Sequence, residues 1–270
     1  MFKSLQRSLL GRGVQVTRTA DTARVRSLIE ACRPVATDVP LVRVGPDADG
    51  GYLVPDDLEG VRLCLSPGVD DKIAFELDLA ARGVPSALAD HSISGLPLEH
   101  PMLSFEPLRV GALDAPGRTS LDGWVARVAP PRSGEAPDLL LQMDIEGAEY
   151  PALLAASSET LERFRVVVVE LHHLDRLFDP VALDLLEACL ERLLALFDVV
   201  HLHPNNALPV YRVDDLVVPQ ALEMTLYRKG RGGRGGTAPS LPHPLDRDCE
   251  PGRPTLALAP CWGGAGPSAS

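Results

Sequence analysis

Leu139-Leu140-Leu141-Gln142-Met143-Asp144-Ile145-Glu146-Gly147-Ala148-Glu149 runs from a continuous apolar segment, Leu139 to Asp144, straight into three carboxylates within six residues. An uninterrupted apolar run of this length has the character of a strand buried on both faces, as in a parallel sheet. Tyr150 to Phe164 follows with helical periodicity, and Val166 to Leu171 is a second buried run. Strand, helix and strand in that order make a crossover unit of an α/β fold.

The same alternation extends in both directions. Upstream lie the run Val61 to Ser66, a helix from Asp70 to Arg82 opened by Asp70 and Asp71 and closed by Gly83, and the run Pro85 to Asp90. A strand at Leu103 to Glu106 and a helix at Ser120 to Val128 complete that half. Downstream, Asp179 to Phe197 is a long helix with Leu183, Leu186, Leu190 and Leu194 in register, and Asp198 to His203 and Leu222 to Tyr227 finish the sheet. Residues 41–229 are therefore expected to form one doubly wound domain. Residues 1–40 contain one amphipathic helix, Asp21 to Cys32, and an extended stretch. Residues 230–270 are rich in Gly and Pro and are expected to form a flexible tail, with Thr255 to Ala259 as an apolar strap.

Composition narrows the function classes. The 270 residues are 45% hydrophobic and carry a net charge of −11, with 37 acids against 26 bases, so a nucleic-acid partner is not expected. No apolar run reaches the roughly 18 to 20 residues of a membrane span, which predicts no membrane partner and a cytoplasmic protein. The five cysteines are scattered without a paired motif and are expected to be free thiols.

Function concentrates where the strands end. Toward their carboxyl ends the runs terminate in Ser66, Asp90, Asp144, Glu170 with His172, and His203. Ligands of open parallel sheets bind beyond those ends. Ser66-Pro67-Gly68-Val69-Asp70 offers a glycine and a helix start, but it lacks the repeated glycines of a dinucleotide fingerprint, and its two aspartates would oppose a diphosphate. Acidic flanks suit a cationic cofactor bearing hydroxyls. Asp90, at the end of the second run, stands where an acid accepts hydrogen bonds from a ribose diol. S-adenosylmethionine, a cation with a ribose and no phosphate, fits that pairing better than NAD does.

The three carboxylates Asp144, Glu146 and Glu149 repel one another, so they are expected to meet solvent, to hold a proton, or to share a cation or donor. Glu149 also suits the helix dipole. Glu170 and His172 share a strand face, as do His201 and His203, and imidazole serves equally as a general base or a metal ligand. Asp144, Glu170, His172 and His203 together form a candidate divalent-metal set.

Taken together, these residues resemble the FkbM family of S-adenosylmethionine-dependent methyltransferases. The carriers are Arg43-Val44-Gly45-Pro46-Asp47-Ala48-Asp49-Gly50-Gly51-Tyr52-Leu53-Val54, Ser66-Pro67-Gly68-Val69-Asp70-Asp71 with Phe75-Glu76, and above all Asp144-Ile145-Glu146-Gly147-Ala148-Glu149. The resemblance implies a class I methyltransferase fold, Rossmann-like, with a seven-stranded sheet whose last strand, Leu222 to Tyr227, is antiparallel. It implies methyl transfer to a hydroxyl of a small molecule, a natural product or sugar. On that reading Ser66, Gly68, Asp70, Glu76, Asp90 and Asp144 bind the cofactor, Asp144 faces the transfer site, and His172 or His203 is the base. The competing readings are an NAD(P)-dependent oxidoreductase on a similar sheet, disfavoured by the missing Gly-x-Gly-x-x-Gly, and a non-catalytic binding module.

Overall fold

The computed structural model describes residues 6, 9–14, 16–131, 138–232 and 239–264. Among them, seven strands build one sheet: β1 (Leu63–Pro67), β2 (Ser86–Ala89), β3 (Leu103–Glu106), β4 (Leu139–Met143), β5 (Phe164–Leu171), β6 (Phe197–Pro204) and β7 (Leu222–Arg228). Their spatial order is β3-β2-β1-β4-β5-β7-β6. Strand β1 pairs parallel with β2 and β4, β2 with β3, and β4 with β5. Strand β7 slots antiparallel between β5 and β6. This is the arrangement expected of the class I fold, last strand included.

The central strands read as they pack. All eight residues of β5 are buried, and Val166, Val167, Val168 and Val169 have no exposed surface. Burying each such side chain contributes about 1.5–3 kcal/mol relative to leaving it in water. Helices α1 (Thr22–Ala31), α2 (Ala74–Ala81), α3 (Leu121–Val128), α4 (Glu149–Ala155), α5 (Ser158–Glu162) and α6 (Pro180–Leu196) surround the sheet. Helix α6 begins as its sequence demands, with Asp179 accepting from the N–H groups of Val181 and Ala182 at 3.0 Å and Pro180 in the first turn. Among the described residues, no helix is long and apolar enough to cross a membrane.

Two helices depart from the sequence reading. Asp70 and Asp71 do not open α2, because Asp70 adopts a left-handed conformation (φ 48°) and donates its N–H to Asp90 Oδ2 at 2.9 Å. The chain is thereby held in a turn, and the helix starts at Ala74. The segment 150–164 is not one helix but two. Ala156 is extended (φ −61°, ψ 140°), and the Ser157 hydroxyl caps α5 by accepting from Thr160 N, while Ser157 N donates to Asp122. A local serine cap thus outweighs continued helix propensity.

The tail also differs from expectation, since residues 239–264 pack against the domain. Leu258, Ala259, Cys261 and Trp262 are buried, Trp262 Nε1 donates to Val217 O at 3.0 Å, and Arg33 Nε donates to Cys261 O at 3.0 Å. A few well-placed side chains suffice because their polar groups also find partners on the core. Residues 233–238 and 265–270 of that tail lie outside the described residues.

Candidate active site

A cavity of about 610 Å³ opens beyond the carboxyl ends of β1, β2 and β4. Asp49, Gly50 and Tyr52 line one side, Phe75 and Glu76 of α2 the back, the 89–92 turn the end of β2, and Gln142, Asp144, Ile145 and Glu146 the end of β4. Gly68 makes this geometry possible. Its φ of 84° belongs to the left-handed region, and a Cβ there would stand 1.6 Å from the Asp144 carbonyl oxygen. Only glycine lets the loops after β1 and β4 touch.

Beneath the cavity lies a buried polar chain. The Ser66 hydroxyl contacts Glu76 Oε1 and lies 2.6 Å from Gln142 Oε1. Ser66 itself is fully buried and does not line the cavity, so it positions Glu76 rather than presenting itself to a ligand. Glu76 is 1% exposed, and its Oε2 has no hydrogen-bond partner. Burial raises its carboxyl above the usual range, and the Ser66 hydrogen bond only partly offsets that.

Asp90 has the opposite character. Burial works against its ionised form, but hydrogen bonds from Ser92 Oγ and N at 2.7 Å and from Asp70 N at 2.9 Å outweigh it and hold the carboxyl below its usual value. A firmly ionised, nearly buried carboxylate therefore closes the end of β2 at the cavity wall.

The carboxylates after β4 gather around one imidazole. His172 Nδ1 lies 3.1 Å from Glu149 Oε1, which also accepts from Ile145 N at 2.9 Å and Gly147 N at 3.1 Å. His172 Nε2 faces Glu146 Oε2 at 3.5 Å, Asp144 Oδ1 at 3.7 Å and Glu170 Oε1 at 3.8 Å. Burial disfavours the imidazolium, but the Glu149 hydrogen bond and the charges of Glu170, Glu149 and Asp144 outweigh this and lift His172 to about 9. Burial likewise lifts the Asp144 carboxyl to about 7, with the His172 cation pulling it back and Glu146 and Glu149 pushing it up. Glu149, read from sequence as a helix-end charge, is fully buried and orients His172. The signal for that role was its place in the Asp144-to-Glu149 string, but nothing in the string names the imidazole it meets.

His203 is not part of this group. Antiparallel β7 lies between β5 and β6, so Glu223 pairs with Glu170 on one side and with His203 on the other. His203 Nδ1 faces Glu223 Oε2 at 3.1 Å. The four-residue metal set expected from the sequence, Asp144, Glu170, His172 and His203, is thus divided. Asp144, Glu149 and His172 offer ligand atoms within 4.8 Å of one another, as do His203, Glu223 and Cys249.

The two edges of the sheet differ in their charges. At the amino edge Asp57 and Asp138 are partly buried, yet ion pairs with Arg231 and Arg165 outweigh burial and hold both carboxyls below the usual range. At the carboxyl edge Asp144 and Glu170 hold protons more tightly than usual, Glu170 through burial and then the charges of Asp144 and Glu223. Among the described residues, three of the four non-glycine residues with positive φ also sit at this edge: Asp70, Glu146 and His173. Backbone strain and unbalanced acid together distinguish a site from a scaffold.

Residues 121–193, from α3 through β4 and β5 into α6, match the model of the methyltransferase FkbM domain. The match supports a methyltransferase, and it covers Asp144, Glu146, Glu149, Glu170 and His172. No curated protein matches the chain.

Proposed function

We propose that the protein transfers the methyl group of S-adenosylmethionine to a hydroxyl of a small molecule, with Asp144 as the general base. The observation that carries this reading is the Asp144 carboxyl itself. It lines the cavity, holds its proton up to about 7, and has its Oδ1 buried with no hydrogen-bond partner, 3.7 Å from His172 Nε2. A base poised near neutral pH is the requirement for proton removal from a hydroxyl, a poor nucleophile while protonated.

The cavity residues fit the cofactor. Asp90 Oδ2 accepts one hydrogen bond and retains a lone pair for a ribose hydroxyl, and the unpartnered Glu76 Oε2 is a buried acceptor suited to an ammonium group. Gly68, Val69 and Asp70 line the cavity beside them. The acidic rim of Asp49, Asp144 and Glu146 favours a sulfonium cation and disfavours a diphosphate. Bound there, S-adenosylmethionine supplies a methyl carbon on a positively charged sulfur that leaves as a neutral thioether.

The chain's own part is alignment and proton handling. Asp144 takes the hydroxyl proton as the acceptor oxygen approaches, and His172, cationic at neutral pH, stabilises the carboxylate form of Asp144. Glu149 fixes the imidazole orientation through Nδ1. The acidic rim also suits a neutral or cationic acceptor better than a polyanion such as nucleic acid.

Calorimetric titration with S-adenosylmethionine, S-adenosylhomocysteine and NAD tests the cofactor, and label transfer from methyl-labelled donor to hydroxylated metabolites tests the reaction. Binding of neither sulfur compound overturns the reading, as does preferential binding of NAD.

A further inference from the structure

One cluster at the carboxyl edge has no part in the chemistry above. His203 of β6, Glu223 of β7 and Cys249 of the C-terminal segment meet with ligand-type atoms within 4.8 Å of one another. Glu223 bridges the other two, with Oε2 3.1 Å from His203 Nδ1 and Oε1 3.2 Å from Cys249 Sγ. The three residues are 6%, 5% and 8% exposed. Nitrogen, oxygen and sulfur donors in one buried group are the ligand types of a tetrahedral zinc ion, whose bonds of about 2.0–2.3 Å place neighbouring donors a little over 3 Å apart.

Charge supports the same conclusion. Glu223 stands directly opposite Glu170 in the antiparallel β5–β7 pair, an arrangement that costs stability when both are ionised. Asp246 is a further carboxylate nearby; it lies 2.9 Å from His201 Nε2 and also acts on His203. Arg43 brings one cation to the neighbourhood, but its guanidinium donates to Pro46 O at 2.8 Å and Ala48 O at 3.0 Å. A divalent cation at His203, Glu223 and Cys249 would relieve this excess. It would also take Cys249 as thiolate, a form that burial beside Glu223 strongly disfavours in the metal-free chain.

We propose that His203, Glu223 and Cys249 bind a zinc-type divalent cation, leaving a fourth position for water, and that this ion fastens the C-terminal segment to the sheet edge. The segment is otherwise held there by hydrogen bonds such as Glu250 N to Asn206 Oδ1 at 2.9 Å. The ion is a staple, and this inference stands whether or not the methyl-transfer reading holds.

The test uses the full chain, purified without a metal-affinity column. Elemental analysis should find about one equivalent of zinc, and replacement by Co²⁺ should give a thiolate-to-cobalt absorption band. Cys249→Ser should abolish the band and His203→Ala should release the metal, with circular dichroism confirming that both variants are folded. Removing the metal from the wild-type chain should lower its melting temperature and speed tryptic cleavage after Arg247. The proposal is overturned if folded wild-type protein neither contains zinc nor takes up Co²⁺, or if metal content and the cobalt band are unchanged in Cys249→Ser. Should a variant fail to fold, the cobalt band and the tryptic susceptibility of the wild-type chain with and without metal decide the matter alone.

Discussion

Asp144 Oδ1 lies 3.7 Å from His172 Nε2, close enough for the imidazolium to govern the carboxyl and too far for a direct hydrogen bond. Each group sets the proton affinity of the other, so the pair titrates as a unit with apparent values near 7 and 9. In the proposed mechanism, ionised Asp144 beside cationic His172 is the active form. The rate should therefore rise with pH as Asp144 ionises near 7 and fall as His172 loses its proton near 9.

Replacing His172 tests that assignment. His172→Gln removes the charge that pulls the Asp144 value down, so the acidic limb of the kcat/KM profile should move to higher pH and the alkaline limb should vanish. An alkaline limb that persists in the variant would remove His172 from the pair.

Glu149→Gln acts from the other side of the imidazole. The amide oxygen can still accept from Ile145 N, Gly147 N and His172 Nδ1, but the charge that favours the imidazolium is gone. The alkaline limb should shift to lower pH and narrow the bell. Unchanged limbs would reduce Glu149 to a loop brace.

Asp90→Asn and Glu76→Gln separate the two proposed cofactor contacts. Each should weaken S-adenosylmethionine binding by at least about tenfold, equivalent to about 1.4 kcal/mol, in calorimetric titration. Burial already disfavours the charge on Glu76, so Glu76→Gln should leave the melting temperature close to wild type. Unaltered affinity in either variant refutes that contact.

Gly68→Ala should be destabilising and inactive. The new Cβ would need the Asp144 carbonyl to move from a calculated approach of 1.6 Å, in a left-handed backbone that alanine avoids. A loss of roughly 2–4 kcal/mol is expected in denaturant unfolding. Trp262→Ala reports on the tail instead. Its fully packed indole should cost roughly 3–5 kcal/mol on removal while leaving cofactor affinity unchanged.

The central strands were legible in the chain because strands buried on both faces are largely apolar, and all seven runs noted in the sequence became strands of the sheet. Asp90 and Asp144 were legible for a related reason. A charged residue directly after such a run has to leave the core, and in a parallel sheet it leaves at the ligand edge. Local competition was harder to read. Nothing in Asp70-Asp71 announces that Asp70 will give its N–H to Asp90, and the Ser157 cap that breaks the 150–164 helix depends on Asp122 from a separate helix.

The sequence by itself determined the class of fold and the acids that line the cavity at the sheet's carboxyl edge, since these follow from periodicity and from where apolar runs stop. Only the tertiary structure decided which groups face one another. Strand β7, last in the sheet by sequence, inserts between β5 and β6, and that one topological step takes His203 away from His172 and gives it to Glu223. Cys249 and Trp262 likewise acquire partners only when the tail folds back. Such contacts join residues far apart in the chain, and no local pattern of residues can encode them.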